Sequence, residues 1–344
     1  MLVISSSRFG DHVTPPGHPE SPERADVLEA VAARARARGE EVTSPRAATR
    51  EDVLRVHTAA HLDAIEATRG HATMIDADTF TSPDTAEVAL LAAVAAVQAV
   101  DAVLEKGDRP HRAAAALVRP PGHHAESDRI MGFCFYNNVA VAAAYARSRG
   151  VSRVAIVDYD VHHGNGTQAI FQGDPSVLYL STHQFPFYPG TGAATEIGTG
   201  EGRGFTVNLP IEAGASDGDY VKVFERGVLP VLEQFRPDLL LISAGFDAHE
   251  SDPLAQMRMT SAGFAWITSA LRAMADRVAE GRVVLVTEGG YALTALGESL
   301  DVALSALSGD DEVAAPAALR AATGRGDRAL SALAAAQAGR WHGL

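Results

Sequence analysis

Short runs of valine, isoleucine, leucine and alanine alternate along the chain with longer stretches whose apolar residues recur at helical spacing. The short runs contain almost no polar residue, which is typical of strands buried on both faces. They predict strands at residues 2–5, 114–118, 153–157, 177–181, 206–209, 239–243 and 283–287. The longer stretches predict helices at residues 21–37, 50–57, 83–105, 137–149, 219–235 and 261–279, with one more at 328–338.

The order of these elements predicts an α/β fold, because apolar strands separated by helices form parallel sheets with helices on both faces. Ser82 and Pro83 predict the start of the third helix, with serine as its N-cap and proline at its first position. The sequence contains no internal repeat and no linker rich in glycine, serine or proline. We therefore predict one domain over residues 1–344, in which the part from about residue 306 is a helical extension.

Composition and charge narrow the class of protein. The formal net charge is −14, and so acidic a chain repels phosphates, so we expect neither nucleic-acid nor membrane binding. Cys134 is the single cysteine, which excludes an intrachain disulfide and a thiolate zinc site. The N-terminus lacks the basic segment of a signal peptide, which favours the cytoplasm. Residues 86–104 are mostly apolar, but polar residues interrupt the run. We therefore predict a buried helix rather than a membrane-spanning one. The oligomeric state stays open, and a homo-oligomer is one of the possibilities.

Ionisable residues follow four of the predicted strands at the point where each strand ends. The four segments are RPPGHH (119–124), DYDVHHGNG (158–166), AGFDAH (244–249) and EGGY (288–291). The carboxyl ends of parallel strands lie at one edge of the sheet, and ligands of open α/β sheets bind there. We therefore expect these segments to meet in one cleft.

The DYDVHHGNG segment suggests a metal site. In extended backbone, alternate side chains share a face, so Asp158, Asp160 and His162 point one way and His163 the other. Asp247, from another strand end, would complete a set of two carboxylates and one imidazole. Three protein ligands with an open position are typical of catalytic zinc, although Fe²⁺, Mn²⁺ or Co²⁺ would bind similarly.

The remaining polar residues of the predicted cleft suggest acid–base chemistry. His123 and His124 follow two prolines and a glycine, and such a stiff loop could present a base and an acid. Asp158 and Asn165 are candidates to orient them, and the Tyr291 phenol could donate to an oxyanion. Each residue alone is more often a satisfied turn residue. Their joint occurrence at strand ends favours metal-assisted hydrolysis of an amide or ester.

With these segments the chain resembles the zinc-dependent histone deacetylase superfamily. The resemblance is to its class II-like branch, which includes the bacterial histone deacetylase-like amidohydrolases. The resemblance implies the three-layer arginase/deacetylase fold, with a mostly parallel eight-stranded sheet. The matching segments are HPESPER (18–24), RPPGHHA (119–125), GFCFYNNVAVAA (132–143), DYDVHHGNGTQ (158–168), STHQFPFYPGTG (181–192), SAGFDAHESDP (243–253) and EGGY (288–291).

The family resemblance also implies a role for each matching residue. Within it, His124 would be the general base and Tyr291 would polarise the scissile carbonyl. The implied zinc ligands are Asp160, His162 and Asp247, and the implied catalytic residues are His123, His124, Tyr291, Asp158 and Asn165. The implied substrate-binding residues are Gly132, Phe133, Tyr188, Leu254, Gly289 and Gly290. A structural K⁺ would bind backbone carbonyls of Asp158, Asp160, His162, Ser181 and Thr182.

Three positions bear on the branch and the substrate. Asn165 stands where class I members have aspartate, and Tyr159 replaces the usual tryptophan and is expected to pack. The hydroxyl of Tyr188, where phenylalanine is usual, could bias the acyl preference or have no role.

Acyl-lysine in proteins or peptides is the leading substrate class. Leu254 occupies the position of the acidic gatekeeper of polyamine deacetylases, which disfavours acetylpolyamines, although Glu250 and Asp252 lie nearby in sequence. A small-molecule deacetylase, a non-catalytic acyl-lysine binder and an arginase-type ureohydrolase are the alternatives. The arginine-rich composition, with only two lysines, suggests a bacterium of high GC content.

Overall fold

A parallel β-sheet forms the middle layer of the computed structural model, which describes residues 1–105, 111–309 and 321–344. Its strands are β1 (Leu2–Ile4), β2 (Glu41–Thr43), β5 (Ala113–Ala116), β6 (Val154–Asp158), β7 (Val177–Gln184), β8 (Thr206–Ile211), β9 (Leu239–Ala244) and β10 (Val283–Thr287). The eight strands lie in the order β2-β1-β5-β10-β9-β6-β7-β8, with every pairing parallel. A separate antiparallel pair joins β3 (Thr73–Met74) and β4 (Phe80–Thr81).

Helices connect the strands and cover both faces of the sheet. They are α1 (Glu23–Ala37), α2 (Arg50–Val53), α3 (Ala59–Glu66), α4 (Thr85–Leu104), α5 (Asn138–Ser148), α6 (Asn165–Phe171), α7 (Asp217–Val223), α8 (Leu229–Phe235), α9 (Ser261–Val278), α10 (Leu293–Ser308) and α11 (Arg325–Ala336). A π-helical turn at Phe224–Val228 joins α7 to α8.

Successive strand residues pack alternately into two separate hydrophobic cores, one on each face of the sheet. In β6, Ala155 and Val157 pack in the core that contains α9 and α10, whereas Val154 and Ile156 pack in the core that contains α4 and α5. A sheet buried on both faces in this way is the layered α/β architecture that the apolar strand runs predict. The predicted fold class is therefore confirmed.

The apolar stretch at residues 86–104 forms most of α4. This helix is long and apolar enough to cross a bilayer, but 67% of its most apolar window is buried within the fold. Its alanines and valines pack against the sheet and α5. The helix therefore behaves as the buried core helix that the sequence predicts.

The predicted start of this helix was wrong by two residues. Thr85, rather than Pro83, is its first residue. The backbone N–H of Ser82 donates to the Thr85 hydroxyl at 2.7 Å, so the threonine side chain closes a turn through Pro83 and Asp84. A turn closed by a side chain competes with helical bonding, and it delays the helix.

Two other predicted helices have different bounds in the structure. The predicted helix at 219–235 begins at Asp217, because Ser216 and Asp219 form a capping box. A second capping box, between Thr49 and Asp52, starts α2, which ends at Val53 rather than at residue 57. The helices α3, α6 and α10 and the strands β2, β3 and β4 were not predicted. The predicted C-terminal helix is present at Arg325–Ala336, and residues 310–320 lie outside the described part.

Candidate active site

Loops at the carboxyl ends of β5, β6, β9 and β10 meet, and these strands are neighbours in the sheet. They bring together Asp160, His162 and Asp247, whose ligand atoms all lie within 4.8 Å of one another. All three residues are buried. The Nδ1 atom of His162 lies 3.2 Å from Oδ1 of Asp160 and 3.1 Å from Oδ2 of Asp247.

Backbone groups hold the two carboxylates in place. The N–H of Gly289 donates to Oδ2 of Asp160, and the N–H of Val161 donates to Oδ1 of Asp247, both at 2.9 Å. A Cβ atom on Gly289 would lie 2.3 Å from Oδ2 of Asp247. Because no side chain fits there, the glycine lets the loop approach closely enough to bond Asp160.

The electrostatics of this group fit a divalent cation. Burial and the facing carboxylate of Asp160 raise the pKa of Asp247 to about 7. Burial disfavours the charge on His162, but hydrogen bonds to Asp160 and Asp247 outweigh it and raise its pKa to about 10. The two enclosed carboxylates repel each other, and a cation held between them would relieve that repulsion. Two carboxylate oxygens and one imidazole nitrogen suit zinc and similar divalent metals.

The tandem histidines lie beside the metal-binding group with different partners. His123 Nδ1 lies 3.0 Å from Oδ2 of Asp158, and His124 Nδ1 lies 2.8 Å from Oδ1 of Asn165. Burial opposes protonation of His123, but Asp158 and Asp160 outweigh it and raise its pKa to about 10. Burial and the neighbouring imidazoles hold the pKa of His124 well below its usual value. One ring therefore favours the charged form and the other the neutral form.

A buried carboxylate supports the backbone of the histidine loop. Glu288 accepts the N–H groups of Gly122 at 2.6 Å and of His123 at 3.1 Å, and the hydroxyl of Ser243 at 3.0 Å. Burial raises the pKa of Glu288 to about 7. The sequence placed Glu288 in the cleft without a role, and its bonds now indicate that it positions the histidine loop.

Asn137 also supports the same loop. Its side-chain amide donates to the carbonyls of His123 and Ala125, and its backbone N–H donates to Nε2 of His57 at 2.9 Å. The His57 ring stacks on that of His61, with centroids 4.7 Å apart. Burial and the second ring lower the pKa of His57 to about 3. A neutral, buried histidine therefore supports the active-site loop indirectly.

His57 should make the fold sensitive to acid. Below about pH 6.5 the unfolded chain binds a proton on this residue and the native fold does not, so stability is lost as the pH falls from about 6.5 towards about 3. A His57→Gln variant keeps an acceptor for Asn137 and does not titrate. Between about pH 7 and about pH 5, it should lose roughly 2 kcal/mol less unfolding free energy than the parent protein.

Urea unfolding at the two pH values measures this difference. His71→Gln is the matched control, because His71 is exposed and its replacement should leave the acid loss unchanged. Equal acid losses in the parent protein and in His57→Gln would contradict the expectation.

Two charged side chains, Asp252 and Arg24, bond the backbone of the loop that carries Tyr291. Oδ2 of Asp252 accepts the N–H groups of Tyr291 at 2.7 Å and of Ala292 at 3.2 Å. The buried guanidinium of Arg24 donates to the carbonyls of Glu288 and Gly290 at 2.5 and 2.8 Å. Desolvation raises the pKa of the Tyr291 phenol against the opposing charge of Arg24, so the hydroxyl stays protonated.

Arg24 belongs to the HPESPER segment, to which the sequence assigned no role. Glu20 of the same segment pairs with Arg24 at 2.9 Å and with Arg119 at 2.6 Å, and all three are fully buried. Buried charges are rarely tolerated unless they are paired. The only sequence signal for this support was the spacing of Glu20 and Arg24, which carry opposite charges and lie four positions apart around the start of α1.

Aromatic side chains lie beside the metal-binding group and the tandem histidines. The ring of Phe133 meets those of Tyr291 and His18 edge-on, with centroids 5.8 and 4.9 Å apart. The ring of Tyr188 stands edge-on to His124 at 5.2 Å. Phe187, which the sequence analysis did not single out, stacks on His162 at 5.3 Å. The structure thus brings Phe133 and Tyr188 to one cleft and adds Phe187.

The other substrate-binding candidates make contacts within the protein. Gly132 has a φ of 57°, and a Cβ there would lie 2.5 Å from the His124 ring and 3.1 Å from the Tyr188 hydroxyl. The N–H of Gly289 and the carbonyl of Gly290 are engaged by Asp160 and Arg24. Leu254 is partly buried, and its N–H donates to Oδ1 of Asp252 at 3.0 Å.

Some polar residues of the four segments lie apart from the metal-binding group. His163 bonds the side chains of Thr191 and Gln168, and His249 accepts the N–H of Ser251. Tyr159 packs against Phe246 and Phe264 in the core.

Among the residues expected to bind potassium, Asp158 and Ser181 lie opposite one another on β6 and β7. The Thr182 hydroxyl lies 3.5 Å from the Asp158 carbonyl. Asp160 and His162 follow on the loop after β6.

Comparison with known proteins identifies relatives over most of the chain. Residues 18–307 match the histone deacetylase domain. The chain is 43% identical over 294 residues to the histone deacetylase-like amidohydrolase of Pseudomonas aeruginosa, covering 82% of this chain and 75% of that protein. It is 40% identical over 294 residues to a probable deacetylase of Archaeoglobus fulgidus, covering 85% and 81%. The crystal structure of the HDA15 HD domain superposes with a TM-score of 0.88 at 35% identity, covering 99% of this chain and 95% of that one.

Proposed function

Because this chain belongs to the histone deacetylase family and is a hydrolase of amide bonds, we propose that it is a zinc-dependent deacylase acting on the ε-amine of lysine in proteins or peptides. The observation that carries the proposal is the buried group of Asp160, His162 and Asp247. It lies beside paired histidines and at the base of an aromatic cleft. Aromatic walls of this kind suit the linear aliphatic side chain of an acylated lysine.

Zinc held by Asp160, His162 and Asp247 would act as a Lewis acid and lower the pKa of a water molecule. His124 is the general base, because its Nδ1 bonds Asn165 and its Nε2 is left to accept a proton. His123, whose Nδ1 bonds Asp158, is the residue that would donate a proton to the leaving amine. Tyr291 donates its phenol proton in a hydrogen bond to the carbonyl oxygen as negative charge develops there.

The loop after the third metal-ligand candidate argues against acetylpolyamines. A second ammonium group needs a free carboxylate at the cleft, but Asp252 uses both oxygens to accept the N–H groups of Tyr291, Ala292 and Leu254. Leu254 itself offers an apolar surface. Acyl-lysine therefore remains the leading substrate class, and an acylated small molecule is the alternative.

The proposal includes a structural potassium ion near the junction of β6 and β7. Its ligands would be backbone carbonyls of Asp158, Asp160, His162, Ser181 and Thr182. The pairing of Asp158 with Ser181 across these strands supports it. Replacing KCl by NaCl should lower the thermal midpoint of the protein if the ion is bound.

A substrate panel on the zinc-loaded protein tests the function. It compares acetyl-lysine peptides, longer acyl-lysine peptides, acetylated polyamines and simple acetyl esters, each before and after chelation of the metal. The highest kcat/KM is expected for an acyl-lysine peptide, with loss on chelation and recovery with zinc. Hydrolysis of polyamines alone, or of no amide at all, would overturn the substrate assignment. Two tightly bound divalent metals in each site would favour a ureohydrolase instead.

Asp252→Asn tests whether the hydrogen bonds to the Tyr291 loop matter for turnover. The variant keeps the volume but exchanges one acceptor oxygen for an NH₂ group, so it cannot serve all three N–H donors. A catalytic group displaced by about 1 Å can cost up to about 100-fold in rate, so kcat should fall while KM and metal content hold. Glu250→Gln removes an exposed charge from the same loop and should leave kcat unchanged. A kcat equal to that of the parent protein would refute the expectation.

A further inference from the structure

The side chain of Asn165 lies between His124, the proposed base, and the acidic residue Glu126. Its Oδ1 lies 2.8 Å from Nδ1 of His124, and its Nδ2 lies 2.9 Å from Oε1 of Glu126. The carbonyl of His124 at 3.4 Å and the sulfur of Met131 at 3.3 Å also face Nδ2. Glu126 is partly exposed, whereas Asn165 and His124 are buried.

The direction of this amide follows from what its neighbours can donate. An ionised carboxylate only accepts hydrogen bonds, so the NH₂ group of Asn165 must face Glu126. The carbonyl oxygen of Asn165 must then face His124. Because that oxygen only accepts, Nδ1 of His124 must carry the ring proton, which leaves Nε2 of a neutral imidazole free.

We propose that Glu126 is a positioning residue that acts through Asn165 to hold His124 in its Nδ1–H tautomer, leaving Nε2 as the proton acceptor. The proposal rests on the proposed function for the role of His124 as base, but the tautomer itself does not depend on that role. It also explains why two carboxylates act differently on the two histidines. Asp158 bonds His123 directly, and its charge favours an imidazolium. Glu126 acts through the amide of Asn165, which fixes which nitrogen of His124 carries the proton but places no charge against the ring.

Charge reversal at Glu126 should reverse the orientation of the Asn165 amide and the tautomer of His124. In Glu126→Lys, the introduced ammonium group only donates, so it favours the amide with its oxygen turned away from His124. The NH₂ group then faces Nδ1, and the ring proton moves to Nε2. In the zinc-loaded protein, ¹⁵N spectra of labelled histidine should show His124 as Nδ1–H in the parent and as Nε2–H in the variant. Loss of a general base should lower kcat/KM on the best amide substrate by about 100-fold or more.

A second substitution should restore the tautomer. In Glu126→Lys with Asn165→Asp, the carboxylate accepts from both the ammonium group and Nδ1–H of His124. The Nδ1–H signal should return, and kcat/KM should recover to within about tenfold of the parent value, which general damage to the fold would not allow. Asp128→Lys is the matched control, because it reverses an exposed charge two residues away on the same loop. It should keep the parent tautomer and rate.

The two readouts separate the proposals. An Nδ1–H tautomer that persists in Glu126→Lys overturns the positioning role of Glu126. A switched tautomer with an unchanged rate upholds that role and overturns His124 as the base. If the parent protein hydrolyses no amide in the panel, the proposed function fails, and the spectra alone still decide the role of Glu126.

Discussion

Asp247→Ala is expected to empty the metal site and to reduce amide hydrolysis to background. Asp247 supplies one of the three ligand atoms that lie within 4.8 Å of one another, and it also accepts the N–H of Val161, which lies between the other two. Its loss should weaken metal affinity by more than the roughly 10- to 100-fold typical of removing a residue that only supports a ligand. Elemental analysis of the dialysed protein, with the substrate panel, measures both effects.

Asp238→Ala is the matched control for this loss. Asp238 precedes the opposite end of β9, where its carboxylate accepts the N–H of Arg153 at 2.8 Å. Its replacement removes a carboxylate beside the same strand without touching the cleft. Full metal content in Asp247→Ala, or an equal loss in both variants, would contradict the ligand assignment.

Tyr291→Phe is expected to lower kcat by about 100- to 1,000-fold, because it removes one donor to the developing oxyanion. The ring and its contact with Phe133 remain, and the backbone N–H still reaches Asp252. Metal content and KM should therefore change little. Steady-state kinetics on an acyl-lysine peptide, together with elemental analysis, separates this pattern from a metal defect.

Tyr145→Phe controls for the loss of a phenol elsewhere. Its hydroxyl bonds Asp101 between α4 and α5, away from the strand ends that form the cleft. Turnover of this variant should match that of the parent protein. A Tyr291→Phe variant with unchanged kcat would remove the phenol from the mechanism.

The convergence of the strand ends could be predicted because apolar strand runs and parallel pairing are both visible in the sequence. The reason given for the shared direction of Asp160 and His162 was nevertheless wrong. The strand ends at Asp158, and residues 160–162 form bends rather than extended backbone. Asp160 and His162 are oriented by hydrogen bonds from their own backbone N–H groups to the carboxylates of Asp158 and Asp160, respectively.

Asp158 and Asn165 were predicted to orient the histidines, but the supporting roles of Arg24 and Glu126 could not be predicted. Arg24 bonds the carbonyl of Gly290, 266 residues later, and Glu126 bonds Asn165, 39 residues later. Neither contact leaves a periodic pattern. Glu20 and Arg24 showed only as charges within a recognised segment, and nothing at Glu126 distinguished it from a solvated surface acid.

The position of β10 in the sheet has a consequence for biosynthesis. This strand is the last of the eight in sequence, yet it lies between β5 and β9 near the middle of the sheet. Until it emerges from the ribosome, the chain can build only two half-sheets, each with an unpaired inner edge. Such edges invite pairing with other chains, so nascent protein should depend on chaperones until this strand inserts. Because Glu288 and Tyr291 arrive with it, completion of the fold and completion of the cleft are one event.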